Sequence, residues 1–105
     1  MLKVKRISDP SYLKSFAGAP CYACGVEDGT IVPAHIRHGF FGIGAKPGDD
    51  LALPLCGKCH AKQHHIGEAV FWWAVYGGDK YMRRRDAVDM AKCVARLRYA
   101  KWKNK

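Results

Sequence analysis

Two identical knuckles, Cys21-x-x-Cys24 and Cys56-x-x-Cys59, constrain this chain more than any other feature. A two-residue gap lets both thiolates of a turn face one ion, and two such turns complete a tetrahedron around zinc. Residues 25–55, which separate the knuckles, number 31, against about 15–20 in the commonest spacing. The surplus is therefore read as a functional insertion. Structural zinc contributes roughly 10–16 kcal/mol of apparent binding free energy in small peptides. A chain of 105 residues with eleven glycines and five prolines needs such a staple, because the glycines and prolines interrupt most of its first two thirds.

Length and composition fit one domain, 1–105, divided into a basic lead-in (1–20), a zinc-stapled core (21–79) and a basic C-terminal helix (80–105). The formal net charge of +9 is uneven. Four basic and one acidic residue fall in 1–20, four of each in 21–65, and ten basic against four acidic in 66–105. Basic flanks around a neutral centre suggest a polyanionic partner, nucleic acid ahead of anionic lipid. Apolar runs never reach the roughly 18 residues a membrane helix needs. The opening "MLKVKRISDPSYLK" puts charges where a signal peptide needs its apolar region. A cytosolic location is expected. In that reducing compartment paired cysteines point to metal rather than disulfides, and neither pair has the strand-to-helix setting of a thioredoxin-type redox site.

"TIVPAHI" is the best strand candidate, "LALPLC" a second short apolar run, and a helix is expected to start near Cys59. Ile66, Val70, Trp73 and Ala74 continue a helical spacing until Gly77–Gly78 stops it. Trp72 and Trp73 are read as packing residues. Ala87, Met90, Val94 and Leu97 mark the apolar face of a final helix, with Cys93 a small buried hydrophobe close to it. The fold class expected is α+β.

All five histidines, His35, His38, His60, His64 and His65, fall within residues 35–65. His60 and His64 are four apart on the expected helix, so both imidazoles can grip one divalent ion. His65 points about 100° away and is left as a bystander or phosphate contact. His35, on the strand side, can face that helix. A neutral imidazole with a pKa near about 6.5 can take a proton from water, and a metal pair opposite it can stabilise charge on a phosphodiester.

In order, "CYACG", "AHIRHG", "GIGAKPGDD", "LPLCGKCHAKQH" and "GEAVFWWAVYGGD" resemble the HNH endonuclease family, above all its small phage and prophage members. The resemblance runs from Cys21 to about Asp79. It implies a ββα-metal core, here with an additional C-terminal helix, and hydrolysis of DNA to 5′-phosphate and 3′-hydroxyl ends in a bacterial cytoplasm. It implies that His35 is the general base and that His60 and His64 bind the catalytic cation, Mg²⁺, Mn²⁺, Ni²⁺ or Zn²⁺. The chain departs from the family pattern twice. Ala34 stands where the family places a metal-binding Asp or His, leaving His38, an acidic residue or water for that role. The Asn that orients the base is missing, the only asparagine being Asn104. Asp49 is the expected substitute, with Asp50 the second choice, either to hold the base or to join the metal. Arg37, Lys46 and Lys62 are candidate phosphate contacts. Arg83, Arg84 and Arg85, followed by Lys92, Arg96, Arg98, Lys101, Lys103 and Lys105, form a candidate surface for the DNA backbone. The alternative function is a non-catalytic zinc-containing DNA-binding module.

Overall fold

The computed structural model describes residues 6–37 and 47–104. His38, Lys46 and Lys105 lie outside them. Two strands, β1 (Val32–His35) and β2 (Ala52–Leu55), pair antiparallel in the register Val32 to Leu55, Pro33 to Pro54, Ala34 to Leu53 and His35 to Ala52. The two prolines stand opposite each other. Neither has an N–H to exchange, so this rung is a non-hydrogen-bonded pair with its backbone groups turned outward. The Pro54 carbonyl, facing away from β1, accepts the Tyr22 N–H at 2.7 Å and so ties the first knuckle to β2.

Before the sheet, the lead-in forms a short helix α1 (Pro10–Lys14) and a 3-10 turn (Ser15–Gly18). Asp9 caps α1, its carboxylate accepting the Tyr12 N–H, and Pro10 occupies the first helical position, where no N–H is missed. After the sheet come α2 (Gly57–Ile66), α3 (Glu68–Val75) and α4 (Arg84–Lys103). The architecture is a small mixed α+β unit, with a ββα order in β1, β2 and α2.

Where the sequence suggested one helix from Cys59 to Gly77, the chain breaks at Gly67. Its backbone angles, φ 90° and ψ 156°, lie where an L side chain is strained. α2 also starts two residues early, at Gly57, because the Cys56 sulfur caps it by accepting the Cys59 N–H.

The main core joins Ala34, Ile36, Leu53 and Leu55 of the sheet region to Phe71 and Trp72 of α3 and to Ala87, Val88, Ala91 and Ala95 of α4. A smaller cluster packs Tyr12, Phe16 and Ala52 against Tyr99 and Trp102. Of the expected face of α4, Ala87 is buried and Val94 packs partly buried against the core, while the rest is corrected. Met90 is 43% and Leu97 58% exposed, and Cys93 is exposed too. The helical period holds, but its phase against α3 is set by small residues: alanines let α4 approach α3 closely, and Met90 and Leu97 are left outside. Trp72 is buried as expected, and Trp73 is half-buried. Among the described residues no helix is long and apolar enough to cross a membrane.

Gly67→Ala should lower the unfolding free energy by about 1–3 kcal/mol, because alanine pays for the positive φ that glycine adopts freely. Urea denaturation would show this as a lower midpoint with an unchanged slope.

Candidate functional site

The four cysteine sulfurs, from the first knuckle and the N-terminal turn of α2, lie within 4.8 Å of one another. Cys24 Sγ and Cys56 Sγ are 3.8 Å apart. Metal–sulfur bonds of about 2.3 Å at tetrahedral angles give an edge of about 3.8 Å, so the donor set and its spacing fit zinc. Burial opposes the thiolate at Cys21, but hydrogen bonds from the backbone of Cys56, Cys24 and Ala23 outweigh it and lower the pKa from 9.0 to about 6. Cys59 moves the other way, raised by burial and then by hydrogen bonds with Cys56, Cys21 and Cys24. A cation bound to the four sulfurs would displace the protons that remain on them.

A second cluster forms where β1 ends. Alternation along the strand buries Ala34 completely in the core and turns His35 to the other side, half-buried. Position 34 therefore packs the core and adds no ligand. His35 Nε2 is 2.9 Å from Asp49 Oδ1, with the two side chains 24% and 16% exposed. A carboxylate only accepts, so Nε2 carries the proton and Nδ1 is left as the basic atom. Asp49 sits in a 3-10 turn, Asp49–Leu51, whose end leads straight into β2. Asp50, the second choice, lies on the side of Tyr12 and Tyr99, within electrostatic reach of both hydroxyls.

On α2, His60 Nε2 and His64 Nε2 are 3.2 Å apart. Two metal–nitrogen bonds of about 2.0–2.1 Å at angles of 90–109° span roughly 2.9–3.4 Å, so the pair fits one shared ion. Burial pushes the His60 pKa down, and the charges of His64, Arg37 and His35 add to this against the opposing pull of Glu68. The neutral imidazole that results is the form that binds metal. Among the described residues, the cysteine tetrad alone brings three or more candidate ligands together, so the histidines stand as a pair.

Sequence reasoning missed the residues that join these parts. Gln63, buried on α2, donates through Nε2 to both Glu68 oxygens at 2.9 and 3.0 Å and to the His35 carbonyl at 3.3 Å. Glu68 also accepts the Trp72 indole N–H at 2.7 Å and the Arg37 backbone N–H at 3.3 Å. The available signal was Glu68, the one charged residue in the apolar run from Ile66 to Val75; Gln63, among Lys62 and His64, carried none. Arg6, in the lead-in, was also passed over. With Ile7, Ser8, His35, Arg37, Pro47 and Asp49 it lines an open cavity of about 220 Å³ beside the His35–Asp49 pair.

The other basic residues are dispersed. Lys62 and His65 are exposed on α2, and Arg85 and Arg96 are exposed on α4. Arg83 pairs with Asp86 at 3.2 Å, and the Arg84 guanidinium lies 5.3 Å from the Trp73 ring centroid, so both have intramolecular partners.

Cys56→Ser should lose the metal and the fold together. Elemental analysis of the purified chain is expected to give about one tightly held zinc per molecule. Chelation should collapse its thermal transition, and a serine variant that stays folded without metal would contradict the assignment.

No curated protein and no solved structure matches the chain. Residues 1–92, which include the cysteine tetrad, the His35–Asp49 pair and the His60–His64 pair, match a family described as a protein of unknown function, DUF968. The chain thus belongs to the DUF968 family, a membership that by itself assigns no activity.

Proposed function

We propose that this protein is a metal-dependent endonuclease of the HNH type that hydrolyses DNA phosphodiester bonds, with zinc on the four cysteines as a structural staple. The observation that carries the reading is the His35–Asp49 contact of 2.9 Å beside an α2 histidine pair spaced for one ion. Arg6 and Arg37 at the adjoining cavity supply positive charge where a phosphate would lie.

In this reading water is positioned at His35 Nδ1, which takes one of its protons as the oxygen attacks phosphorus. The P–O3′ bond breaks, giving a 5′-phosphate and a 3′ oxygen that is protonated from solvent. Asp49 holds the ring and favours the imidazolium formed when the proton arrives. Arg6 and Arg37 bind the non-bridging oxygens of the target or a neighbouring phosphate. His60 and His64 would hold a divalent cation, which supplies positive charge for the phosphoryl and leaving oxygens. Two protein ligands would leave its remaining coordination positions to water and phosphate. The basic residues of α4 add a sequence-independent attraction to the DNA backbone.

A second reading, a zinc-stapled DNA-binding module without catalysis, draws support from Ala34, which fills the core where the HNH pattern has a ligand. Supercoiled plasmid offered with Mg²⁺, Mn²⁺, Ni²⁺ or Zn²⁺ separates the two. The nuclease should give nicked and linear DNA with at least one ion, and His35→Ala should slow it by about 100-fold or more. Plasmid that is retarded in a gel but left intact under every ion would select the binding module. Arg6→Ala should weaken DNA binding several-fold and reduce the slope of log affinity against log salt by about 1, as measured by fluorescence anisotropy on a labelled duplex.

A further inference from the structure

Asp49 is held from behind. Its Oδ1 faces His35 Nε2 at 2.9 Å, while its Oδ2 accepts the backbone N–H of Asp9 at 2.7 Å. Two contacts on opposite oxygens fix both the plane and the rotation of the carboxylate. The Asp9 N–H is itself aimed by two more bonds. Asp9 Oδ1 accepts the Tyr12 N–H at 3.2 Å as the cap of α1, and Asp9 Oδ2 accepts the Tyr99 hydroxyl at 3.0 Å. Tyr99 lies on α4, its ring 4.8 Å from that of Tyr12 and stacked on Trp102.

The backbone is shaped to allow this contact. The Asp49 N–H donates to the Ile7 carbonyl at 2.8 Å. A Cβ on Gly48 would stand 2.9 Å from Ile7 N and 2.7 Å from Asp50 Oδ1, so the lead-in can lie this close only against glycine. Capping α1 does not require a charged residue, since Asn or Ser caps as well. An Asp here places a second carboxylate next to Asp49, an arrangement of like charges that is unfavourable unless donors absorb them. The Tyr99 hydroxyl and the two N–H groups are those donors.

We propose that Tyr99 and Asp9 are positioning residues for His35: a chain of hydrogen bonds, Tyr99 to Asp9 to Asp49 to His35, links helix α4 to the candidate base and keeps the proton on Nε2 so that Nδ1 remains free to act. The catalytic part of this inference rests on the nuclease reading, and the structural part does not. The groups facing His35 are Asp49 from the 3-10 turn, His60 from α2, and Arg37 and Arg6 at the cavity. Asp49 alone is hydrogen-bonded to its ring among the described contacts.

Tyr99→Phe removes the hydroxyl and keeps the ring packing, so it tests the chain of bonds directly. Cleavage should fall in kcat by about 3- to 10-fold with KM unchanged, a fraction of what a general base contributes. Asp9→Asn, which can still cap α1 through its one amide oxygen but sets a second donor against the Tyr99 hydroxyl, breaks the same link and should lose kcat by about the same 3- to 10-fold. Side-chain ¹H–¹⁵N correlation spectra of the zinc-loaded protein at pH 8 give a readout independent of activity. His35 should be in the Nε2–H form in the wild type and a mixture of tautomers in Tyr99→Phe. Identical His35 spectra in the two proteins overturn the inference, as does a loss of kcat that merely matches a fallen folded fraction. If the wild type cuts no DNA, the nuclease reading fails while the spectra still decide the chain of bonds.

Discussion

α2 brings almost no apolar surface into the molecule, and the rest of the structure is arranged around that deficiency. Its sole fully buried residue is Gln63, and Cys59 and Ile66 pack against the core only partly buried, so hydrophobic packing holds this helix less than it holds most. Two polar attachments supplement it. At the N-terminus Cys56 and Cys59 join the tetrad with Cys21 and Cys24. In the middle, Gln63 reaches the His35 carbonyl and the Glu68 carboxylate. His60, half-buried, follows the first anchor and His64, exposed, follows the second, one turn apart on the helix, which leaves the pair available to an ion.

The candidate site is a meeting of segments that are distant in sequence. β1 delivers His35, the turn before β2 delivers Asp49, α2 delivers the histidine pair, and the lead-in delivers Arg6 and the Asp9 N–H. None of these segments is long enough to be rigid alone. The sheet has two strands of four residues each, and isolated hairpins of this size are marginal in water. Packing of Phe71, Trp72 and the alanines of α4 against one face of that sheet is what makes it a fixed platform.

How much of this was legible in the sequence depended on whether a feature was local. The Cys-x-x-Cys pairs and the His60–His64 interval announce themselves, because ligand geometry within one turn dictates spacing. "TIVPAHI" and "LALPLC" carry the β-branched and apolar residues that strands favour, and β1 and β2 fall within them. The contact of His35 with Asp49 was reachable only through the HNH resemblance, since nothing local in "KPGDD" says what it will face. Asp9, 40 positions from Asp49 and 90 from Tyr99, had no signal at all. On α4 the sizes of the apolar side chains misled: Met90 and Leu97 look like core residues beside Ala87 and Val94, with Cys93 close by, yet close packing kept alanine and valine and left those three exposed. Gly67 could have been read as a break, but the apolar spacing on either side concealed it. His38 and Lys46 lie outside the described residues.

The facing prolines of the sheet have a consequence for association. A two-stranded sheet has two open edges, and an open edge invites pairing with another chain. Here Pro33 and Pro54 remove the outward N–H at the middle of each edge, and the outward carbonyl of Pro54 is already taken by Tyr22. A further strand would meet a gap in its hydrogen-bond ladder on either side. The chain can therefore keep a small, two-edged sheet at the heart of its core without offering a template on which copies of itself could polymerise.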